Sequence, residues 1–478
     1  MQLSILEIAA ILGSPAISGK DQQSAGTARG YSIDSRSVQR GDLFFAIRGP
    51  RYDGHEFVAQ ALERGAVAAV VREGFEPPSP EVSSALIHVH DPAQALQQLA
   101  RAVRQRWTGR LVGITGSTGK TTTKEMLAAV LEPKFRVLKS EGNLNNHLGV
   151  PLTLLRLTSE TEVAVVEMGM SAPGEIASLA ALAAPQTGVV TNVAPVHLEF
   201  FDSIGSIARA KRELIEHLQP PENAVLNHDD DRVRGFVEGF RGRVVTFGFT
   251  EGSDYRALHV RSSIAPGEEN LSTDFEVQGP EHQGWFSIPL AGRHNVENAL
   301  AAIACGSLFG INPSESRAAL RALRLPGKRM EILRLPGKIT VINDSYNSNP
   351  LAMERMIETL ASWPAAGQKI IVAGEMLELG PSSPEWHRHI GRECARAGVN
   401  WLIAVQGDAH YFLEGAREAG LPADRMAFFP AARDAGRYCL SIVRSGDAVL
   451  VKGSRGVKLE DAIDALGGSR NEPVWRDN

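Results

Sequence analysis

Cysteine is scarce in this sequence: three residues, Cys305, Cys394 and Cys439, among 478. An odd, scattered set without CxxC spacing makes neither a disulfide framework nor a zinc site. Buried thiols in a reducing cytoplasm are the expectation. Lysine- or arginine-rich runs are also missing, and the net charge is −5. Such a chain lacks the electrostatic footprint of a general nucleic-acid binder. Apolar runs are broken by charge or glycine well short of a membrane span. The opening "MQLSILEIAAILGSP" has no basic n-region and carries Glu7, so no secretory signal is expected. These absences point to a cytoplasmic protein with no nucleic-acid partner and no membrane insertion.

Hydrophobic residues make up 43% and charged residues 22%, an ordinary globular balance. Domains of about 100–200 residues imply two to four of them. Up to about residue 109 the chain mixes short elements. "SILEIAAILGS" and "PAQALQQLARAVRQRW" have helical periodicity, while "DLFFAI", "GAVAAVV" and "ALIHVH" read as strands. "REGFEPPSPEVSS" reads as a surface loop. From Leu111 on, apolar runs alternate with helical segments: "LVGIT", "EVAVVEMG", "TGVVTNV", "NAVLN" and "RVVTFGF". Strand–helix alternation predicts a mainly parallel sheet covered by helices. The pentapeptide "RLPGK" occurs at 324–328 and 334–338, a pair of turns flanking the strand "MEILRL". Beyond it "KITVIND", "QKIIVAGEM", "NWLIAVQGD" and "DAVLVKGS" predict a second, doubly wound α/β unit. The expected fold class is therefore α/β with three domains, 1–109, 110–325 and 326–478.

A strict G-x-x-x-x-G-K-[ST] phosphate loop is missing too. "GITGSTGKTTTKEM", residues 113–126, has Ile114 where the first glycine would stand. The chemistry survives the misfit. Gly116 and Gly119 let backbone approach phosphate oxygens, and successive N–H groups make an anion nest at a helix start. Lys120 would reach the outer phosphates and Thr121 would ligate Mg²⁺. Glu167 ends the strand "EVAVVEMG", a place for a metal-binding carboxylate. His197 follows the next strand in "TNVAPVHLEFF". On spacing alone it reads as structural, and Lys211, in "IARAKRELIEHL", as a surface lysine.

Several stretches together resemble the Mur ligase family, the ATP-dependent amino-acid ligases of peptidoglycan precursor synthesis. "GITGSTGKTTT" is similar to the family's G-x-T-G-[ST]-x-G-K-[ST] loop, "GRHNVENALAA" to its adenine-side segment and "LPGKRMEIL" to its interdomain linker. "SIDSRSVQRGDLFFAIRGPRYDGHEF" resembles the uridine-nucleotide domain of the later ligases of the pathway. "NDSYNSNPLAM" and "GEMLELG" resemble the branch that adds D-alanyl-D-alanine. The resemblance implies a uridine-nucleotide-binding N-terminal domain, a central P-loop ATPase domain and a C-terminal Rossmann-like domain taking D-alanyl-D-alanine. It implies ATP, Mg²⁺ and UDP-N-acetylmuramoyl-tripeptide as ligands, an acyl-phosphate intermediate, and a monomer.

The same resemblance implies site roles. Gly116, Ser117, Thr118, Gly119, Lys120, Thr121 and Thr122 would cradle the ATP phosphates. Asn295 and Asn298 would meet adenine, Arg329 a phosphate after domain closure, and Asp344 the ribose. Thr121, Glu167, His197 and a Lys211 carbamylated by CO₂ would surround metal. Lys120, His197, Lys211, Asn143 and Asn146, with neighbouring Asn145, would line the acyl-phosphate site. Ser32, Asp34, Ser35, Arg36, Asp53, Gly54 and His55 would hold the uridine nucleotide, and Tyr346, Asn347 and Asn349 the dipeptide. Closure is expected to pivot at 326–329. Pro381 and Pro384 depart from the family's usual charged stretch, leaving His387 without an assigned role. The alternatives are a sister ligase adding diaminopimelate or lysine, a folylpolyglutamate-type ligase, and an ATP-driven switch with no amide chemistry. The uridine-type domain and "NDSYNSNP" weigh against them.

Overall fold

The computed structural model describes residues 2–14, 26–196, 198–264, 271–325 and 327–467. Three large sheets follow one another along the chain. The first is wholly parallel: β1 (Gly30–Ser32), β2 (Asp42–Phe45), β3 (Ala68–Arg72) and β4 (Leu86–Val89) pair in that order. It is followed by α1 (Pro92–Arg106), which starts where the Asp91 side chain accepts N–H bonds from Ala93 and Gln94 and Pro92 takes the first turn. Such a cap stabilises a helix by about 1 kcal/mol. The stretch read as a surface loop contains a helical turn, Pro80–Ser83, in which the Val82 N–H donates to the Ser79 hydroxyl.

The second sheet has nine strands in the order β13-β12-β11-β10-β9-β8-β5-β7-β6. They are β5 (Arg110–Thr115), β6 (Val137–Lys139), β7 (Val163–Glu167), β8 (Thr187–Val190), β9 (Asn223–Asn227), β10 (Arg243–Gly248), β11 (Tyr255–Ile264), β12 (Leu271–Gln278) and β13 (Gln283–Ile288). β5 to β11 pair in parallel, the arrangement predicted for the runs that form β5 and β7 to β10, while β6 and β11 were not among those runs. The antiparallel pairings β11–β12 and β12–β13 extend the sheet and were not anticipated. Successive side chains of a strand face opposite sides, and both sides are buried. Val112, Ile114, Val165 and Val225 pack with α2 (Lys120–Leu131) and α4 (Arg293–Leu308). Leu111, Ala164, Val166 and Leu226 pack with α1 and α3 (Ile204–Glu216). Double burial explains the unbroken apolar runs in these strands.

The third sheet has the order β14-β15-β19-β16-β17-β18. These are β14 (Glu331–Leu335), β15 (Ile339–Asp344), β16 (Lys369–Gly374), β17 (Trp401–Val405), β18 (Met426–Phe429) and β19 (Ala448–Lys452). Only β14–β15 is antiparallel. α5 (Pro350–Ala361) leaves the loop after β15, capped by the Asn349 side chain on the Ala352 N–H. Met353, Met356 and Ile357 of α5 join the apolar cluster that also holds Val296 and Leu300 of α4, so the second and third units share a core. The three cysteines are buried and free, as expected.

Candidate active site

A cavity of about 500 Å³ lies where the carboxyl ends of β5, β7 and β15 converge. It is the crevice at strand ends that α/β sheets offer to ligands. The loop after β5 forms one wall. Gly119 has φ +82°, and a Cβ there would stand 2.4 Å from Asn298 Oδ1. A Cβ on Gly116, behind the loop, would fall 1.8 Å from Thr191 Oγ1. Both positions therefore demand glycine. The loop is tied to the end of β8: the Thr118 N–H donates to Asn192 Oδ1 (2.9 Å), and Ser117 Oγ accepts from the Ala194 N–H (2.8 Å). Thr121 and Thr122 are buried in the first turn of α2.

Glu167 is 2% exposed. Its two oxygens accept from Thr121 Oγ1 and Asn145 Nδ2, each at 2.8 Å. Lys124 Nζ, wholly buried, lies 4.0 Å away. Lys120 Nζ donates to the Gly116 carbonyl at 2.7 Å. Burial holds the Lys120 ammonium below its ordinary value against the attraction of Glu167, and nearby Arg329 adds repulsion. Lys211, from α3, lines the same cavity at 2% exposure, and no hydrogen bond or ion pair holds it among the described residues. Burial, then repulsion by Lys120, drives its pKa well below the ordinary 10.5. It is thus no surface lysine: the fold encloses it, and burial favours its uncharged form. Oxygen donors around Glu167 and Thr121 suit a hard cation such as Mg²⁺, which keeps water and phosphate as further ligands.

The other walls come from α4 and the third unit. Asn295 and Asn298 are buried on one face of α4, Asn295 Oδ1 accepting from Asn298 Nδ2 at 3.3 Å. Their neighbour His294 has a pKa of about 3 because burial and the charge of Arg355 disfavour its cation. Asp344 ends β15. Burial opposes its ionisation, but Lys452 at 2.5 Å, with Arg329 and His294, outweighs that and holds the carboxyl low. Asp344 also accepts from the Met330 N–H, and Lys452 donates to the Asn347 carbonyl. Tyr346 lies between two guanidiniums, Arg329 at 4.1 Å and Arg455 at 5.5 Å from its ring centre. Asn347 and Asn349 face both this cavity and an adjoining one of about 170 Å³ lined by Lys120, Ser348 and Arg455.

Every residue expected at the phosphate, acyl-phosphate, adenine, ribose and dipeptide positions lines the main cavity, apart from Gly116 and His197. His197 lies outside the described residues, as does Pro326 of the expected pivot. Some side chains also carry local structure. Asn146 Oδ1 accepts from the Leu148 and Gly149 N–H groups, leaving its amide N–H groups for a ligand. Asn143 is exposed at the rim. Lys452, Arg355, Arg455 and His294 were not anticipated as site residues, although His294 sits inside the "GRHNVENALAA" stretch.

The residues expected to hold a uridine nucleotide cluster in the first unit, apart from this cavity. Ser32 is buried beside Asp34 and Ser37, and Ser35 Oγ donates to Gln60 Oε1 at 2.8 Å. Arg36 is exposed and forked onto Asp34, which its guanidinium holds below the usual carboxylate range. Gly54 opens a turn capped by Asp53. His55 has both ring nitrogens engaged. Nδ1 meets Asp53 at 2.6 Å, and Nε2 accepts from the Arg72 N–H at 2.9 Å. Its ring fastens this loop to β3. His387 is structural in the same way: Nε2 accepts from the Met376 N–H and Nδ1 donates to the Ser383 carbonyl, pinning the "GEMLELG" loop.

Three profiles cover most of the chain: "Mur ligase family, catalytic domain" at 27–104, "Mur ligase middle domain" at 114–306 and "Mur ligase, glutamate ligase domain" at 328–455. The chain is similar to a Bacillus subtilis UDP-N-acetylmuramoyl-tripeptide–D-alanyl-D-alanine ligase, 38% identical over 91% of this chain and 93% of that one. Among solved structures it is similar to MurF from Acinetobacter baumannii, at 29% identity and a TM-score of 0.85 over 98% and 99% of the two chains. MurF from Thermotoga maritima in complex with ADP matches at 29% identity and a TM-score of 0.77 over 92% and 97%.

Proposed function

The chain belongs to the Mur ligase family, and we propose that it joins D-alanyl-D-alanine to UDP-N-acetylmuramoyl-tripeptide, driven by ATP. The observation that carries this reading is one cavity shared by the phosphate loop, the buried Glu167 and Lys211, and the Tyr346–Asn349 loop. It holds a phosphate-binding wall opposite an acceptor-binding wall.

A peptide carboxylate is a poor electrophile because oxide would have to leave. Attack of a carboxylate oxygen on the γ-phosphorus of ATP forms an O–P bond, releases ADP and gives an acyl phosphate. The free amine of the dipeptide then forms the C–N bond, the C–O bond breaks and phosphate departs. The first step brings two anions together. Lys120, Arg329 and the loop N–H groups offset that repulsion from fixed positions, which costs little reorganisation. Thr121 and Glu167 would hold Mg²⁺, with a carbamylated Lys211 as a further anionic group. The metal supplies charge neutralisation at the phosphates. Asn145 orients Glu167, and Asn143 and Asn146 offer uncharged donors beside the forming acyl phosphate. Asn295 and Asn298 face the purine, whose edge both donates and accepts. Asp344, fixed by Lys452, takes the ribose hydroxyls. Closure of the third unit over the nucleotide excludes water that would hydrolyse the intermediate.

Arg455 gives the acceptor side a cation. Ser348 Oγ is buried with no hydrogen-bond partner among the described residues, ready for a polar group in the smaller cavity. A guanidinium fork suits the carboxylate of the dipeptide. Arg455→Ala is expected to raise KM for D-alanyl-D-alanine about 10- to 100-fold, the worth of a charged hydrogen bond, with KM for ATP unchanged. Steady-state kinetics with each substrate varied in turn checks this.

The reading as a whole is tested by phosphate release with UDP-muramoyl-tripeptide and ATP. D-alanyl-D-alanine should stimulate it, and single D-alanine, diaminopimelate and lysine should not. Release that ignores the dipeptide overturns the reading. Stimulation by diaminopimelate or lysine with the UDP-muramoyl-dipeptide would favour the sister ligase.

A further inference from the structure

Arg355 projects from α5 of the third unit toward the phosphate loop of the second. Its Nη1 donates to Thr118 Oγ1 at 3.1 Å and its Nη2 to Glu297 Oε2 at 2.7 Å. Glu297 lies on α4 between Asn295 and Asn298. The two side chains of the ion pair are 17% and 16% exposed. Burial pushes the Glu297 carboxyl up and Arg355 pulls it down. Thr118 is already tied to the end of β8 by Asn192, whose Oδ1 accepts the Thr118 N–H and whose Nδ2 donates to Thr118 Oγ1 at 3.0 Å. One planar fork thus joins three parts: the third unit, the glycine loop after β5, and the helix that bears Asn295 and Asn298.

We infer that Arg355 is a positioning residue that sets the phosphate loop when the third unit closes, acting through Thr118 and Glu297. The inference rests on the ligase reading for its kinetic consequence but not for its geometry. With the third unit swung away, both bonds would break together, and Glu297 would return to water while the Thr118 hydroxyl would keep Asn192. With it closed, the guanidinium immobilises Thr118, two residues before Lys120, and so fixes the direction of the loop N–H groups. Arginine suits this task because its fork serves two acceptors at a fixed angle, whereas a lysine ammonium at the end of a flexible stem keeps the charge but loses the planar bite. Arg355 lies beyond the dipeptide loop and contacts no group expected to react. Its effect should fall on the chemical step more than on ATP capture.

The test uses the full chain and the variants R355A, R355K and E297Q. With UDP-muramoyl-tripeptide, D-alanyl-D-alanine and ATP, R355A should lower kcat about 10- to 100-fold, the size of effect that a small misplacement of reacting groups produces. The ADP dissociation constant should stay within about threefold of wild type, as expected where transition-state interactions are lost rather than uniform binding. R355K should recover part of kcat, and E297Q should sit between R355A and wild type. Small-angle scattering should show compaction on adding a non-hydrolysable ATP analogue in the wild type and a weaker response in R355A. A thermal melt of each variant identifies any loss that follows from unfolding. R355A with wild-type kcat and compaction overturns the inference. So does a loss that R355K shares in full, or one that tracks a lowered melting point. Scattering needs no acceptor, so a wild type that fails to respond to the dipeptide would sink the ligase reading while leaving this test intact.

Discussion

Lys120→Ala is expected to lower kcat about 10²- to 10³-fold, the loss typical of deleting one preorganised donor at developing charge. The ammonium is fastened to the Gly116 carbonyl at 2.7 Å, within its own loop. It is aimed by the same turn that aims the backbone N–H groups. Burial lowers its pKa, while Glu167 favours its charged form. A γ-phosphate arriving there would do so more strongly, being a closer and larger negative charge. Removing the side chain leaves a buried cluster with Glu167 and fewer cations to meet the phosphate. The fold should survive, because the lost bond is local and the core beneath α2 is apolar. Lys120→Arg should not rescue fully, since a planar guanidinium cannot take the place of a compact ammonium inside a tight loop. Binding of UDP-muramoyl-tripeptide, measured without ATP, should be unchanged, because the residues proposed to hold its uridine end lie in the first unit. Activity of Lys120→Ala within tenfold of wild type would remove the lysine from the chemistry.

How far the sequence revealed this site depended on the range of each contact. The loop at 113–126 was legible because strand, glycines, Lys-Thr and helix are consecutive, and β5 and α2 appear at those positions. Parallel strands with both faces buried were legible as apolar runs. The β11–β13 extension was not, because "LSTDFEVQ" alternates buried and half-exposed residues and offers no long apolar run. Arg355 was invisible for a different reason. Its partners Thr118 and Glu297 lie 237 and 58 residues away in the chain. Lys452 meets Asp344 across 108 residues, and no local spacing signals that pairing. Short-range contacts add local structural duties that no motif shows. His55 and Asn146 were expected at binding positions, and within the fold the His55 ring nitrogens and the Asn146 carbonyl oxygen also hold local structure. Lys211 was the reverse case: an amphipathic helix made it look solvated, and only the packing of α3 on the sheet shows it buried.

Lys211→Met is expected to abolish most activity, about 10²-fold or more if the lysine becomes a metal-binding anion, and to raise stability. The second half follows from burial. A lysine enclosed without a partner among the described residues costs stability, because its charged form is desolvated and its neutral form leaves hydrogen-bonding capacity unused. Methionine of similar length removes that cost. The pH dependence has a definite sign. In the unfolded chain Lys211 binds a proton below pH 10.5, and in the folded chain it does not until a much lower pH. The unfolded state therefore holds more protons across that window, so this group makes stability rise with pH up to about 10.5. Lys211→Met should flatten that slope in denaturant titrations. The first half follows from nucleophilicity. A neutral amine attacks the carbon of CO₂, forms an N–C bond and releases a proton, leaving a carbamate anion. The burial that disfavours the ammonium thus favours the form that can become a carbamate, in the cavity that Lys120, Thr121 and Glu167 also line. Carbamylation predicts that bicarbonate depletion lowers turnover and that its return restores it, with intact-mass measurement at neutral pH recording one added CO₂. A Lys211→Met variant that is more stable and equally active would show that the lysine only lines the cavity.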